Sequence, residues 1–152
     1  MIEVAVDDPA WTAALPDAVA LAERAAAAAL AGAPGDVAIL LADDAQVQAL
    51  NDRFRGQDRP TNVLSFPAPA AAGGQLGDIA LAYGVCAAEA RAQAKPLAHH
   101  LQHLVVHGVL HLLGLDHADR RQALVMEARE RRILASLGAP DPYIAAADDR
   151  RG

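Results

Sequence analysis

The sequence predicts an α+β fold in a single domain, with four strands in a mixed sheet and about five helices. Three observations carry that prediction. Short apolar or alternating runs bounded by turn-forming residues occur four times. Longer Ala/Leu-rich stretches lie among them and end at glycine or proline. No internal repeat or polar linker divides the 152 residues into two cores, and domains commonly run to about 100–150 residues.

The elements follow in chain order. Residues 2–7 alternate Ile2, Val4 and Val6 against Glu3, Ala5 and Asp7, the period-two pattern of a strand with one buried face. Pro9 precedes a long helix over about 11–31, closed by Gly32 and Pro34. A second strand spans Asp36 to Leu41, and a helix follows from Asp44 to Phe54, with Asp43 or Asp44 as its cap. A third strand covers Thr61 to Phe66 between Pro60 and Pro67. The Pro/Ala/Gly-rich run Ala68 to Gln75 predicts a mobile loop. Gly77 to Ala82 is the fourth strand. Helices are expected over about 83–94 and 97–113, divided at Lys95-Pro96, and a last one over 119–137, ended by Gly138 and Pro140. The domain is expected to span 1–147, with a polar, frayed tail at 148–152.

Composition narrows the function. A net charge of −6 argues against a protein that coats nucleic acid nonspecifically, which needs a broad basic surface. It leaves room for an enzyme that meets RNA with a few local arginines. The single cysteine, Cys86, cannot pair within the chain and lies among Val85, Ala87 and Ala88, so it reads as core rather than nucleophile. A lone thiol fits a reducing compartment. Residues 1–8 contain no basic segment or signal-length apolar run, and Ala25 to Ala33 is far too short to cross a bilayer. A cytoplasmic location without membrane attachment is therefore expected.

All six histidines fall between residues 99 and 117. His107 and His111 are four apart, so on a helix both reach one ion from the same face. Gly114 supplies a residue able to end that helix in the left-handed conformation, after which the chain can return His117 as a third ligand. The helix is apolar on nearly every side, through Leu101, Leu104, Val105, Val106, Val109, Leu110, Leu112 and Leu113. Such a helix is buried, and buried imidazoles need partners. His103 competes for the third position, but three ligands along one straight helix from His103 to His111 span about 12 Å at a rise of 1.5 Å per residue. That is too long for one tetrahedral centre. His99 and His100, at the start of the helix, are expected to face solvent. Three nitrogen ligands leave a fourth position open, the pattern of catalytic rather than structural zinc, although nickel and copper also suit imidazoles. Asp116 is either an orienting partner for an imidazole or a polar turn residue.

The spacing His-x3-His-x2-Gly-x2-His is shared with metzincin peptidases, whose motif places a general-base glutamate directly after the first histidine. Here that position is Gly108, which has no acid–base chemistry, so peptide hydrolysis by that route is not expected.

The run His107-Gly108-Val109-Leu110-His111-Leu112-Leu113-Gly114-Leu115-Asp116-His117 resembles the signature of the YbeY endoribonucleases, bacterial factors of ribosomal RNA maturation. Arg55-Gly56-Gln57-Asp58-Arg59-Pro60-Thr61-Asn62-Val63-Leu64-Ser65-Phe66-Pro67 is similar to a second segment of that family. Gly77-Asp78-Ile79, Met126-Glu127, Glu130, Ile133-Leu134 and Asp141-Pro142-Tyr143 fit its remaining pattern. The resemblance covers nearly the whole chain. It implies one zinc ion per chain held by His107, His111 and His117, with His107 and Arg55 in the catalytic centre and Arg55 contacting substrate. It further implies cleavage of single-stranded RNA, maturation of the 16S rRNA 3′ end, ribosome quality control, and partners in the small ribosomal subunit and an Era-type GTPase.

Physical chemistry supports the arginine, because a guanidinium can meet two oxygens of a phosphoryl group as negative charge develops there. Arg53 and Arg59 read as solvated surface charges. Asp58, Thr61 and Ser65 have ordinary roles in a turn and at strand ends, and Asp78 either faces the site or does not. Two alternatives stay open at this level: a non-catalytic ribosome-assembly factor stabilised by zinc, and a zinc peptidase with a displaced base.

Overall fold

A computed structural model describes residues 1–69 and 73–143. Its elements are β1 (Ile2–Val6), α1 (Ala10–Ala14), α2 (Ala18–Leu30), β2 (Asp36–Ala42), α3 (Asp44–Arg55), β3 (Val63–Pro67), β4 (Gln75–Ala82), α4 (Tyr83–Ala92), α5 (Leu97–Leu112) and α6 (Arg120–Ser136). The four expected strands form one mixed sheet in the order β1-β2-β4-β3. The pairs β1–β2 and β2–β4 are parallel, and β3 returns antiparallel to β4. This makes β1 and β3 the edges. The expected tail at 148–152, the domain end at 147 and the middle of the expected loop at 68–75 lie outside the described residues. Among the described residues no helix is long and apolar enough to cross a membrane.

Helix count is the main correction. The single helix expected over 11–31 is two, α1 and α2, which gives six among the described residues. Pro16 is the reason. It lacks an N–H and disfavours helical geometry in the residue before it, and Leu15 is extended at φ −132°, ψ 93°. The break has a use, because Trp11 on α1 is fully buried and donates its indole N–H to the Ala42 carbonyl at 3.0 Å. That bond pins α1 to the end of β2.

Each face of the sheet has its own apolar packing. Ile39, Ile79 and Leu81 pack with α2 and α5 in the larger core. Leu64, Ala80 and Ala82 pack with Val47 of α3 in a smaller one. Asp43 caps α3 by accepting from the Gln46 backbone at 2.7 Å, while the Gln46 side chain accepts from the Asp43 backbone at 3.1 Å, a reciprocal capping box. This cap resolves the choice between Asp43 and Asp44. Asp44 instead accepts from the Val85 backbone at 3.0 Å and joins α3 to the start of α4.

Helix α5 lies unusually close to the sheet at Gly108. A Cβ built there would stand 3.0 Å from Ile79 Cδ1 and 3.2 Å from Ile79 Cγ2. The glycine that lacks acid–base chemistry is thus the residue that lets the histidine helix rest on β4.

Candidate metal centre

His107 and His111 project from the last two turns of α5. The helix then stops as expected, with Gly114 at φ +98° and its N–H donating to His111 O at 3.0 Å. The Leu115 N–H donates to Leu110 O at 3.0 Å, and the chain turns back. His117 follows in that turn, where its backbone N–H donates to Asp116 Oδ1 at 2.7 Å. Asp116 therefore steadies the turn through the backbone.

The three imidazoles converge. One nitrogen from each lies within 4.8 Å of the others, and the ring centres of His107–His111, His111–His117 and His107–His117 are 4.9, 5.0 and 5.5 Å apart. Burial, then the neighbouring His107 and His117, hold His111 below the ordinary imidazole value, with Arg55 adding to the effect and Asp116 opposing it. A neutral imidazole is the form that offers a lone pair to a metal. Tetrahedral zinc–nitrogen bonds near 2.0–2.1 Å put ligand nitrogens about 3.4 Å apart, so small side-chain movements would bring this set around such an ion.

Glu130 orients the cluster. It projects from α6, is fully buried, and accepts from His107 Nδ1 at 2.8 Å. Its other oxygen is 2.8 Å from His103 Nε2 and accepts from the Tyr143 hydroxyl. Burial alone would raise its pKa, but the bonds from His103, His107 and Tyr143 prevail and bring it down to about 2. As a carboxylate it can only accept, so the proton of His107 sits on Nδ1 and Nε2 is left free. His103 stands outside the converging group and is held instead by Glu130 through its Nε2. In the sequence Glu130 stands out only as part of the family pattern. Its signal was positional: Met126, Glu130 and Leu134 are the buried residues of α6, four apart on one stripe, and a charge in an apolar stripe implies buried partners.

His100 also departs from expectation. It is buried, not solvent-facing, and its Nε2 lies 2.9 Å from Glu89 Oε1. That oxygen also accepts from Asn62 Nδ2 at 3.0 Å, so α4, α5 and the residue before β3 share one polar junction. His99 is half-buried.

Arg55 is the last residue of α3 and donates to Ser65 O on β3 at 2.7 Å. The same cleft, of about 610 Å³, is lined by Arg55, Asn62, Ser65, His107, His111 and His117. The structure thus brings Arg55 together with all three candidate ligands. Other candidates fall outside. Arg59 bonds to Gln57 Oε1 at 2.7 Å, and Asp58 accepts from Gln48 at 3.0 Å. Asp78 is exposed and lines the adjoining groove rather than the histidine cleft itself.

A mixed sheet carrying a helix with two histidines one turn apart, a third histidine returned by the next turn, and an arginine across the cleft defines a three-histidine hydrolase centre. The family model described as Endoribonuclease YbeY matches residues 4–138, and the chain belongs to that family. A relative from Paramagnetospirillum magneticum named Endoribonuclease YbeY is 54% identical, with 93% of this chain and 96% of the relative covered. Another of that name, from Azorhizobium caulinodans, is 49% identical over 97% of this chain and 98% of its own length. The solution structure of a Thermotoga maritima protein has the same fold, with a TM-score of 0.57 at 24% identity over 94% of this chain and 99% of that one. The chain is an endoribonuclease by family, its substrate is RNA, and its three-histidine group is able to hold a metal ion.

Proposed function

We propose that the chain is a zinc-dependent endoribonuclease specific for single-stranded RNA, acting in 16S rRNA 3′-end maturation and ribosome quality control. The observation that carries this reading is the placement of Arg55 and three converging imidazoles in one cleft. In it, His107, His111 and His117 hold one zinc ion, with His107 using the nitrogen that Glu130 leaves free. Bound there, zinc would supply a Lewis acid for a phosphoryl oxygen and a positive charge opposite the developing negative one.

The protein's own groups do the rest. The Ser65 carbonyl holds one guanidinium nitrogen of Arg55, which fixes the group's direction and leaves its other N–H donors for two phosphoryl oxygens. Such preorganised donors stabilise charge as it forms, without reorganising. Gly108 lacks the general base of the metzincin route to peptide cleavage, and a side chain there would crowd Ile79. Attack by water would leave a 5′-phosphate, and attack by the ribose 2′-hydroxyl a 2′,3′-cyclic phosphate. Partners in the small ribosomal subunit and an Era-type GTPase, and a cytoplasmic site of action, belong to the same reading.

The test is removal and return of metal. Chelation should abolish cleavage of an unpaired oligoribonucleotide, zinc should restore it, and a duplex of the same sequence should resist. Full cleavage by the metal-free chain would overturn zinc dependence.

A further inference from the structure

The cleft does not end at Arg55. Beyond it, on the sheet face that α3 covers only in part, a groove of about 1290 Å³ shares Arg55, Ser65 and Pro67 with the cleft and continues past Phe54, Phe66 and Arg53. Phe54 is 58% exposed, and it is the only exposed aromatic residue among those described. It does not stand alone. Its ring centre lies 5.4 Å from that of Phe66, the Arg53 guanidinium is 5.2 Å from the Phe54 ring centre, and Arg55 is 5.7 Å from that of Phe66.

We propose that Phe54 and Phe66, flanked by Arg53 and Arg55, form a base-stacking subsite that holds an unpaired nucleotide next to the phosphate under attack. The proposal rests on the endoribonuclease reading and deepens it. An exposed ring with adjacent guanidinium groups suits a nucleotide, because every base has a π face and every linkage a phosphate. Charge sets the polarity of the groove. Glu3 and Asp78 line it along the sheet and repel a phosphate chain, whereas Arg53 and Arg55 attract one. The base therefore enters over the rings while its phosphates stay on the arginine side. Arg55 belongs to both spaces and couples the stacked nucleotide to the histidine cleft. A duplex, whose bases are already stacked, gains nothing from the platform, so it also favours single strands.

The test uses the zinc-loaded full chain with a short oligoadenylate and with an abasic ribose-phosphate chain of equal length. F54A and F54L are compared with wild type, the second keeping apolar bulk without a π face. F54W provides a reporter, since Trp11 is fully buried. Both F54A and F54L should weaken oligoadenylate binding and raise KM by about tenfold, with kcat little changed and abasic binding equal to wild type. F54W should bind as wild type does and lose emission when oligoadenylate is added. Wild-type affinity in F54L, or unchanged F54W emission on saturation, would overturn the subsite. Cleavage by wild type together with either of those results leaves the nuclease reading intact, whereas quenching of F54W with no cleavage by any variant does the reverse.

Discussion

Glu130 Oε2 lies 2.8 Å from His107 Nδ1 and joins α6 to the histidine helix through a fully buried carboxylate. This contact decides which nitrogen of His107 faces the cleft, and it binds the orientation of one imidazole to the packing of the last helix. Partners of this kind commonly change metal affinity by about 10- to 100-fold. Glu130→Gln should lower zinc affinity by that amount while the fold persists, as measured by competition with a chromogenic chelator. Unchanged affinity would mean that the contact only supports packing.

Close approach at Gly108 makes a second prediction. A Cβ there already meets the buried Ile79 side chain at 3.0–3.3 Å, and overpacking typically costs about 1–3 kcal/mol before any charge is buried. Gly108→Glu, which writes in the metzincin residue, should destabilise the chain by about 3 kcal/mol or more and produce no peptidase. Denaturant unfolding measures the first part and a fluorogenic peptide the second.

The His100–Glu89 junction predicts a pH dependence. Burial is the main cause that lowers the His100 pKa below 6.5; the bond to Glu89 opposes it, and Lys95 and His103 reinforce it. The unfolded chain therefore binds more protons than the folded one as pH falls below about 6.5. Stability from this group is highest above that value and declines as pH drops toward the folded-state pKa. His100→Gln should flatten the fall of the urea midpoint between neutral and mildly acidic pH. An unchanged slope would assign the fall to other groups.

Cys86 should be inert. Burial, followed by the charges of Glu89 and Asp44, pushes its thiol far above the ordinary range, and the thiolate is the reactive form. Iodoacetamide should leave the native chain unmodified at mildly alkaline pH and label it fully in denaturant, read by mass spectrometry.

Much of this was legible in the sequence, for identifiable reasons. The four strands follow local alternation and turn residues, and the cluster of His107, His111 and His117 follows from helix period and the Gly114 stop. Arg55 needed the family motif, because a lone arginine has no pattern of its own. The α1–α2 break was written in Pro16, but the alanine-rich run around it reads as continuous helix. Glu130, His100 and the Phe54–Phe66 pair depend on contacts between elements distant in the chain. His103–Glu130, for example, joins residues 27 apart, and no local period encodes such a meeting.

The most direct test of a single catalytic site purifies wild type, His117→Ala and Arg55→Glu identically and measures zinc content and RNA cleavage in each. His117 lies on an exposed turn, so its loss should spare the fold. The expected result is one zinc per chain in wild type and Arg55→Glu, little in His117→Ala, and cleavage by wild type alone. Equal cleavage by all three proteins would contradict the account and place the nuclease activity outside this cleft.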